Sequence, residues 1–125
     1  MKKIIHTEKA PSAIGPYSQA VEINNTLYIS GQLPLDPDKL KMPDTIEEQT
    51  KLVMQNIGSI LNDAGYDYTN VVKSTIYLAD INDFQKVNEI YGNYYPHDPP
   101  ARSAFEVANL PKGAKIEIET MAVKE

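Results

Sequence analysis

Two stretches of the chain repeat apolar residues at helical spacing. In the first, Ile46, Val53, Ile57, Ile60, Leu61 and Ala64 form one stripe, while Glu47, Lys51, Gln55 and Asn62 occupy the opposite face. Thr45 and Glu48 make a capping box, so this helix starts at Asp44 or Thr45 and stops before Gly65. In the second, Phe84, Val87, Ile90, Tyr91 and Tyr94 supply the stripe. That helix begins near Asn82, with Gln85 three residues on, and Pro96 bars its continuation past Tyr94 or Tyr95.

Strand-like segments fill the remainder, at about Ile4 to Thr7, Ser18 to Ile23, Thr26 to Ser30, Val71 to Leu78, Ser103 to Val107 and Lys115 to Lys124. Asn24-Asn25 reads as a tight hairpin turn, because asparagine tolerates positive φ. Pro34 to Pro43 is a loop, rich in proline and aspartate and without periodicity. The order βββαβαββ predicts an α+β fold: it has too few helices for a doubly wound sheet and too many for a sandwich. No repeat or linker divides the chain, so residues 1–125 form a single domain. In the last strand Ile116, Ile118 and Ala122 point one way, and Met121 and Val123 share the other face with Glu117 and Glu119. Two helices cover only one face of a sheet, and here both faces are partly apolar. The second face is therefore expected to pack on another copy of the chain.

Composition narrows the chemistry. At 125 residues the chain can bury about two thirds of its unfolded surface, and 42% hydrophobic with 23% charged residues is ordinary for a globular domain. A net charge of −5 and scattered lysines argue against a nucleic-acid partner, which needs a basic face. The chain has no cysteine, so disulfides, thiolate nucleophiles and cysteine-ligated metals are excluded. His6 and His97 lack partners at metal-ligand spacing, and no cofactor motif is present. No apolar stretch reaches the length of a membrane span, and Met1 to His6 is not followed by a signal-peptide core, so a cytoplasmic protein without membrane contact is expected.

Against this background one residue stands apart. Arg102 is the only arginine beside eleven lysines. Guanidinium is a planar fork that grips a carboxylate through two parallel hydrogen bonds, whereas lysine is a mobile point charge. Arg102 is either a carboxylate clamp, held in place by Pro99-Pro100, or a structural salt-bridge residue. Glu117 and Glu119 lie two apart on a strand and share a face. If the last two strands pair as a hairpin around Pro111 to Gly113, one of these acids approaches Arg102, as its ion-pair partner or to position water. Gly31, in Ser30-Gly31-Gln32, allows close backbone approach by a ligand or marks a bend. Tyr17 offers a phenol hydrogen bond or is an ordinary half-buried aromatic.

Taken together these segments resemble the RidA/YjgF family of reactive-intermediate deaminases. The resemblance rests on Ala13-Ile14-Gly15-Pro16-Tyr17-Ser18-Gln19-Ala20, Ile29-Ser30-Gly31-Gln32-Leu33-Pro34, Gln49 to Gly65, Val72 to Tyr77, Asp83-Phe84 with Val87-Asn88, and Pro100-Ala101-Arg102-Ser103 followed by Ile116-Glu117-Ile118-Glu119. It spans essentially the whole chain. It implies a chorismate-mutase-like mixed sheet with two helices on one face, and a homotrimer with clefts between subunits. The implied activity is hydrolysis of 2-iminobutanoate and 2-iminopropanoate to 2-oxo acids and ammonia, without metal or organic cofactor. The resemblance puts the catalytic pair at Arg102 and Glu117, and lines the pocket with Tyr17, Ser30, Gly31, Asn88 and Ala104. Many members carry cysteine where this chain has Ala104, so only the backbone there can contribute. The loop Tyr95 to Asp98 is also shorter than in many relatives, and Pro37 to Pro43 lacks the usual glycine-containing turn. The alternative is a trimer that binds small carboxylates without turning them over, in a regulatory or chaperone-like role.

Overall fold

The alternating run near the C-terminus lies in the interior of the sheet. In the computed structural model, which describes residues 1–125, six strands line up in the order β1-β2-β3-β6-β4-β5. They are β1 (Lys3–Ile5), β2 (Ala20–Ile23), β3 (Thr26–Gln32), β4 (Val71–Leu78), β5 (Ala101–Glu106) and β6 (Ile116–Val123). All neighbours run antiparallel except β4 and β5, which are parallel. With α1 (Ile46–Asp63) and α2 (Phe84–Tyr94) the order along the chain is the expected βββαβαββ.

The last two strands do not form a hairpin around Pro111 to Gly113. β6 enters between β3 and β4, so β4 separates it from β5. Two forces account for this. The α2 crossover returns β5 parallel to β4, which a tight turn cannot do. The alternating apolar residues of β6 also gain most by lying under the helices, where Ile116, Ile118 and Ala122 reach 0% exposure.

Local signals set the helix ends. The Thr45 hydroxyl accepts the Glu48 N–H at 3.2 Å and donates to the Glu48 carboxylate at 3.0 Å. α1 closes at Ala64, and Gly65 turns the chain away with φ +84°. The second helix opens with a 3₁₀ turn, Ile81–Asp83, whose Asp80 cap accepts the Asn82 N–H at 2.9 Å; regular α-helix follows from Phe84.

Burial alternates along β6: Ile116, Ile118, Thr120 and Ala122 are buried, whereas Glu117, Glu119, Met121 and Val123 are not. Both helices therefore cover the same face. On the uncovered face Tyr28, Phe105 and Val123 remain between 39% and 48% exposed, and the Tyr77 ring meets Phe105 edge-on at 5.4 Å. The long segment before β2 is tied down by Gln19, whose amide accepts the Thr7 N–H at 2.7 Å and donates to the carbonyls of Thr7, Ala10 and Pro11. Likewise the Asn56 amide of α1 donates to the carbonyls of Leu33 and Leu35 and anchors the loop after β3. No helix is long and apolar enough to cross a membrane.

Candidate active site

Arg102 lies on the edge strand β5, opposite Ser74 of β4, and Ala104 lies opposite Ile76. Ser74 and Ile76 are buried beneath the helices, so Arg102 and Ala104 share the helix face of the sheet. There α2 supports the guanidinium from one stripe of positions i, i+4 and i+7. The Asn88 Oδ1 accepts a hydrogen bond from Nη1 at 2.5 Å, and the rings of Phe84 and Tyr91 each stand 5.3 Å from the guanidinium carbon. No carboxylate pairs with this arginine, since the two ion pairs of the chain join Lys86 to Glu47 and Lys124 to Glu22. The guanidinium is braced from the α2 side, and Arg102 remains exposed. Ala104, half-buried, lines a shallow depression with Ile81 and Phe84.

The other predicted residues gather elsewhere. Tyr17, Ser30, Gly31 and Glu117 line one cavity of about 610 Å³, shared with Lys112 and Glu119. Ser30 is set by its hydroxyl, which donates to the Ser18 carbonyl at 2.6 Å. Tyr17 is exposed at the rim, its phenol oxygen accepting the Ile14 N–H at 3.3 Å. Gly31 falls where the β3–β6 register shifts, between Ile29 and Gln32. A Cβ built on Gly31 would stand 2.0 Å from the Glu117 Oε2, so the carboxylate packs directly on the glycine backbone. Burial, and then the charge of Glu119, hold the Glu117 carboxyl above the usual carboxylate range.

Arg102 and Glu117 do not meet within one chain. Glu117 pairs with Tyr77 on the uncovered face, whereas Arg102 projects from the helix face. β4 lies between their strands, which puts them about 10 Å apart across the sheet as well as on opposite sides of it. One chain thus holds two separate groups of candidate residues, a braced guanidinium on the helix face and a cavity lined by an acid of raised pKa on the other. No group of three histidine, aspartate or glutamate side chains is placed to hold a metal ion.

Comparison with known proteins gives the context for these two groups. A family model described as Endoribonuclease L-PSP matches residues 7–124. A 2-iminobutanoate/2-iminopropanoate deaminase from Bos taurus is 54% identical, over 99% of this chain and 91% of that protein. The chain belongs to the RidA/YjgF family. Among solved structures, the Rid-family protein of unknown function YyfA from Yersinia pestis superposes with a TM-score of 0.96 at 47% identity, over 99% of this chain and 100% of that one. E. coli TdcF with bound serine superposes with a TM-score of 0.94 at 38% identity, over 98% of this chain and 99% of that one.

Three features of this RidA/YjgF chain were missed in the sequence. Phe84 and Tyr91 read as core stripe residues, although they also sandwich Arg102. The signal was there: Asn88 interrupts an apolar stripe, and a polar residue between two aromatics on one helix face marks something to be held. Lys112, at φ +58°, brings a cation to the cavity from the turn before β6. The Tyr77–Glu119 hydrogen bond follows from strand pairing that no local pattern reveals.

Proposed function

We propose that this protein hydrolyses short 2-imino acids, such as 2-iminobutanoate and 2-iminopropanoate, to 2-oxo acids and ammonia, at sites formed between subunits of a homotrimer. The observation that carries this reading is the separation of Arg102 from Glu117 on opposite faces of one sheet. A second copy seated on the uncovered apolar face, with its β5 edge against the cavity, unites the clamp of one chain with the acid of the next. The enzyme name of relatives more than half identical to this chain supports the same reading. A cytoplasmic setting, expected from the sequence, belongs to this proposal.

In the proposed mechanism Arg102 grips the substrate carboxylate through its fork, fixing C2 of the imine at the mouth of the cavity. Glu117 takes a proton from water as the oxygen adds to C2, which converts the C=N bond to a single bond. That proton passes to nitrogen. The hydroxyl then gives up its own proton, which Glu117 relays to the nitrogen; the C=O bond forms as the C–N bond breaks and ammonia leaves, so one water is consumed per ammonia released. Imine carbon is electrophilic enough to need no covalent nucleophile. Tyr17 and Ser30 border the same space, and the free backbone edge at Arg102 to Ala104 can share the water.

The direct test couples a threonine dehydratase to this protein. 2-Oxobutanoate should appear faster with the protein present, and light scattering should give a particle of three 14.0 kDa chains. Binding of 2-oxobutanoate without faster ammonia release would identify a non-catalytic carboxylate binder instead. RNA cleavage is disfavoured, since the net charge is −5 and both histidines are exposed and isolated.

Gly31→Ala probes the cradle. The methyl group meets the free end of a flexible side chain rather than backbone, so the fold tolerates it and Glu117 swings aside. Thermal stability should stay nearly unchanged while kcat on 2-iminobutanoate falls about tenfold or more, the scale expected for misplacing a reacting group. Unaltered turnover would show that the contact does not aim Glu117.

A further inference from the structure

Glu117 shares its cavity with a second acid that the mechanism above does not use. Glu119, two residues along β6, projects from the same face and lines the same 610 Å³ space. Its carboxylate accepts the phenol hydrogen bond of Tyr77, which stands directly across from Glu117 on β4. Phe105 holds the Tyr77 ring edge-on, so Glu119 is fixed from the neighbouring strand rather than left to wander.

Resting on the imine-hydrolase reading, we propose that Glu119 is a positioning residue acting through Glu117. Its fixed negative charge keeps Glu117 basic enough to take a proton from the attacking water and hold it until the nitrogen accepts it. The other groups facing Glu117 do not supply this effect. Ser30 and Gly31 of β3 carry no charge, Tyr17 and Tyr77 present phenol hydroxyls, and Lys112 on the cavity wall, like Lys73 beside Glu119, is a cation of opposite sign. The neighbouring clamp, Arg102 of the next chain, also opposes it until substrate carboxylate neutralises that cation. Burial raises the Glu117 pKa first, and the like charge of Glu119 adds to it.

The experiment records pH profiles of kcat and kcat/KM on 2-iminobutanoate for the wild type, Glu119→Gln, Glu119→Asp, Tyr77→Phe and Glu117→Gln. Removing the charge in Glu119→Gln should move the acid limb down by about 0.5 to 1 pH unit. It should also lower the plateau kcat about two- to threefold, because a weaker base assists less, with KM little changed. Glu119→Asp keeps the charge and should restore the limb. Tyr77→Phe strips the hydrogen bond that disperses the Glu119 charge, so its limb should move up by a few tenths of a unit; if Glu119→Gln fails to assemble, this upward shift alone supports the proposal. An acid limb that stays put in Glu119→Gln, or moves down equally in Glu119→Asp, overturns the role of Glu119 while leaving the imine-hydrolase reading intact. Full activity of Glu117→Gln overturns that reading, and the role of Glu119 with it.

Discussion

Replacing Arg102 by lysine is expected to lower kcat/KM for 2-iminobutanoate by about a hundredfold or more, the scale of losing a bidentate charge-assisted pair. Fold and assembly state should match the wild type. Charge is conserved in this substitution, so any loss must come from geometry. The guanidinium is held by the Asn88 oxygen at 2.5 Å and by two aromatic rings at 5.3 Å. A planar cation meets all three supports and still offers an edge to a carboxylate, whereas an ammonium has no plane to stack and no second parallel donor. The substrate would then be tethered at one point and free to pivot, and C2 would lose its fixed distance from the water. Steady-state kinetics with light scattering on the same sample checks this. Near-normal turnover by Arg102→Lys with wild-type assembly would dismiss the clamp.

The second large effect is expected at Glu117. Glutamine has nearly the same shape and fits the space against Gly31, but it cannot accept a proton from water. General-base catalysis contributes about 10²–10⁴-fold, so Glu117→Gln should cut kcat by at least about a hundredfold while the affinity for 2-oxobutanoate changes little. The pH dependence follows from the direction of the shift. Burial and Glu119 raise the Glu117 pKa, so its carboxylate form is lost earlier on acidification than for an ordinary glutamate. Wild-type activity should therefore fall as pH drops through this raised pKa, and that limb should be missing from the residual rate of Glu117→Gln. A retained limb would assign it to the substrate or to another group.

Much of this architecture was legible because its signals are local. The Thr45 capping box, the stop at Gly65 and Pro96, and the period-two alternation of Ile116 to Glu119 each act within a few residues, and each element formed where its pattern lay. The helix-forming stripe of α1 proved wider than periodicity suggested, since Met54 and Asn56 are buried too, the latter to anchor the loop after β3. Strand neighbours were not legible. Nothing in Ala101–Glu106 or Ile116–Val123 says that β4 lies between them, because pairing depends on where the α2 crossover delivers the chain. The error mattered. A hairpin would have put Arg102 and Glu117 side by side in one chain, whereas the parallel β5 separates them and turns the arginine to the helix face. The individual candidate residues came from a family resemblance across motifs; their placement on opposite faces of one chain's sheet came only from its register.

That division can be tested without a structure. Arg102→Ala and Glu117→Ala should each be inactive alone. Unfolded together in equal amounts and refolded as mixed oligomers, they should recover about a quarter of wild-type activity, because random assembly leaves about one cleft in four with an intact arginine from one chain and an intact glutamate from the next. No recovery, in mixtures that light scattering and differential tagging show to be truly mixed, would mean that both residues must come from the same chain and would contradict a site shared between copies.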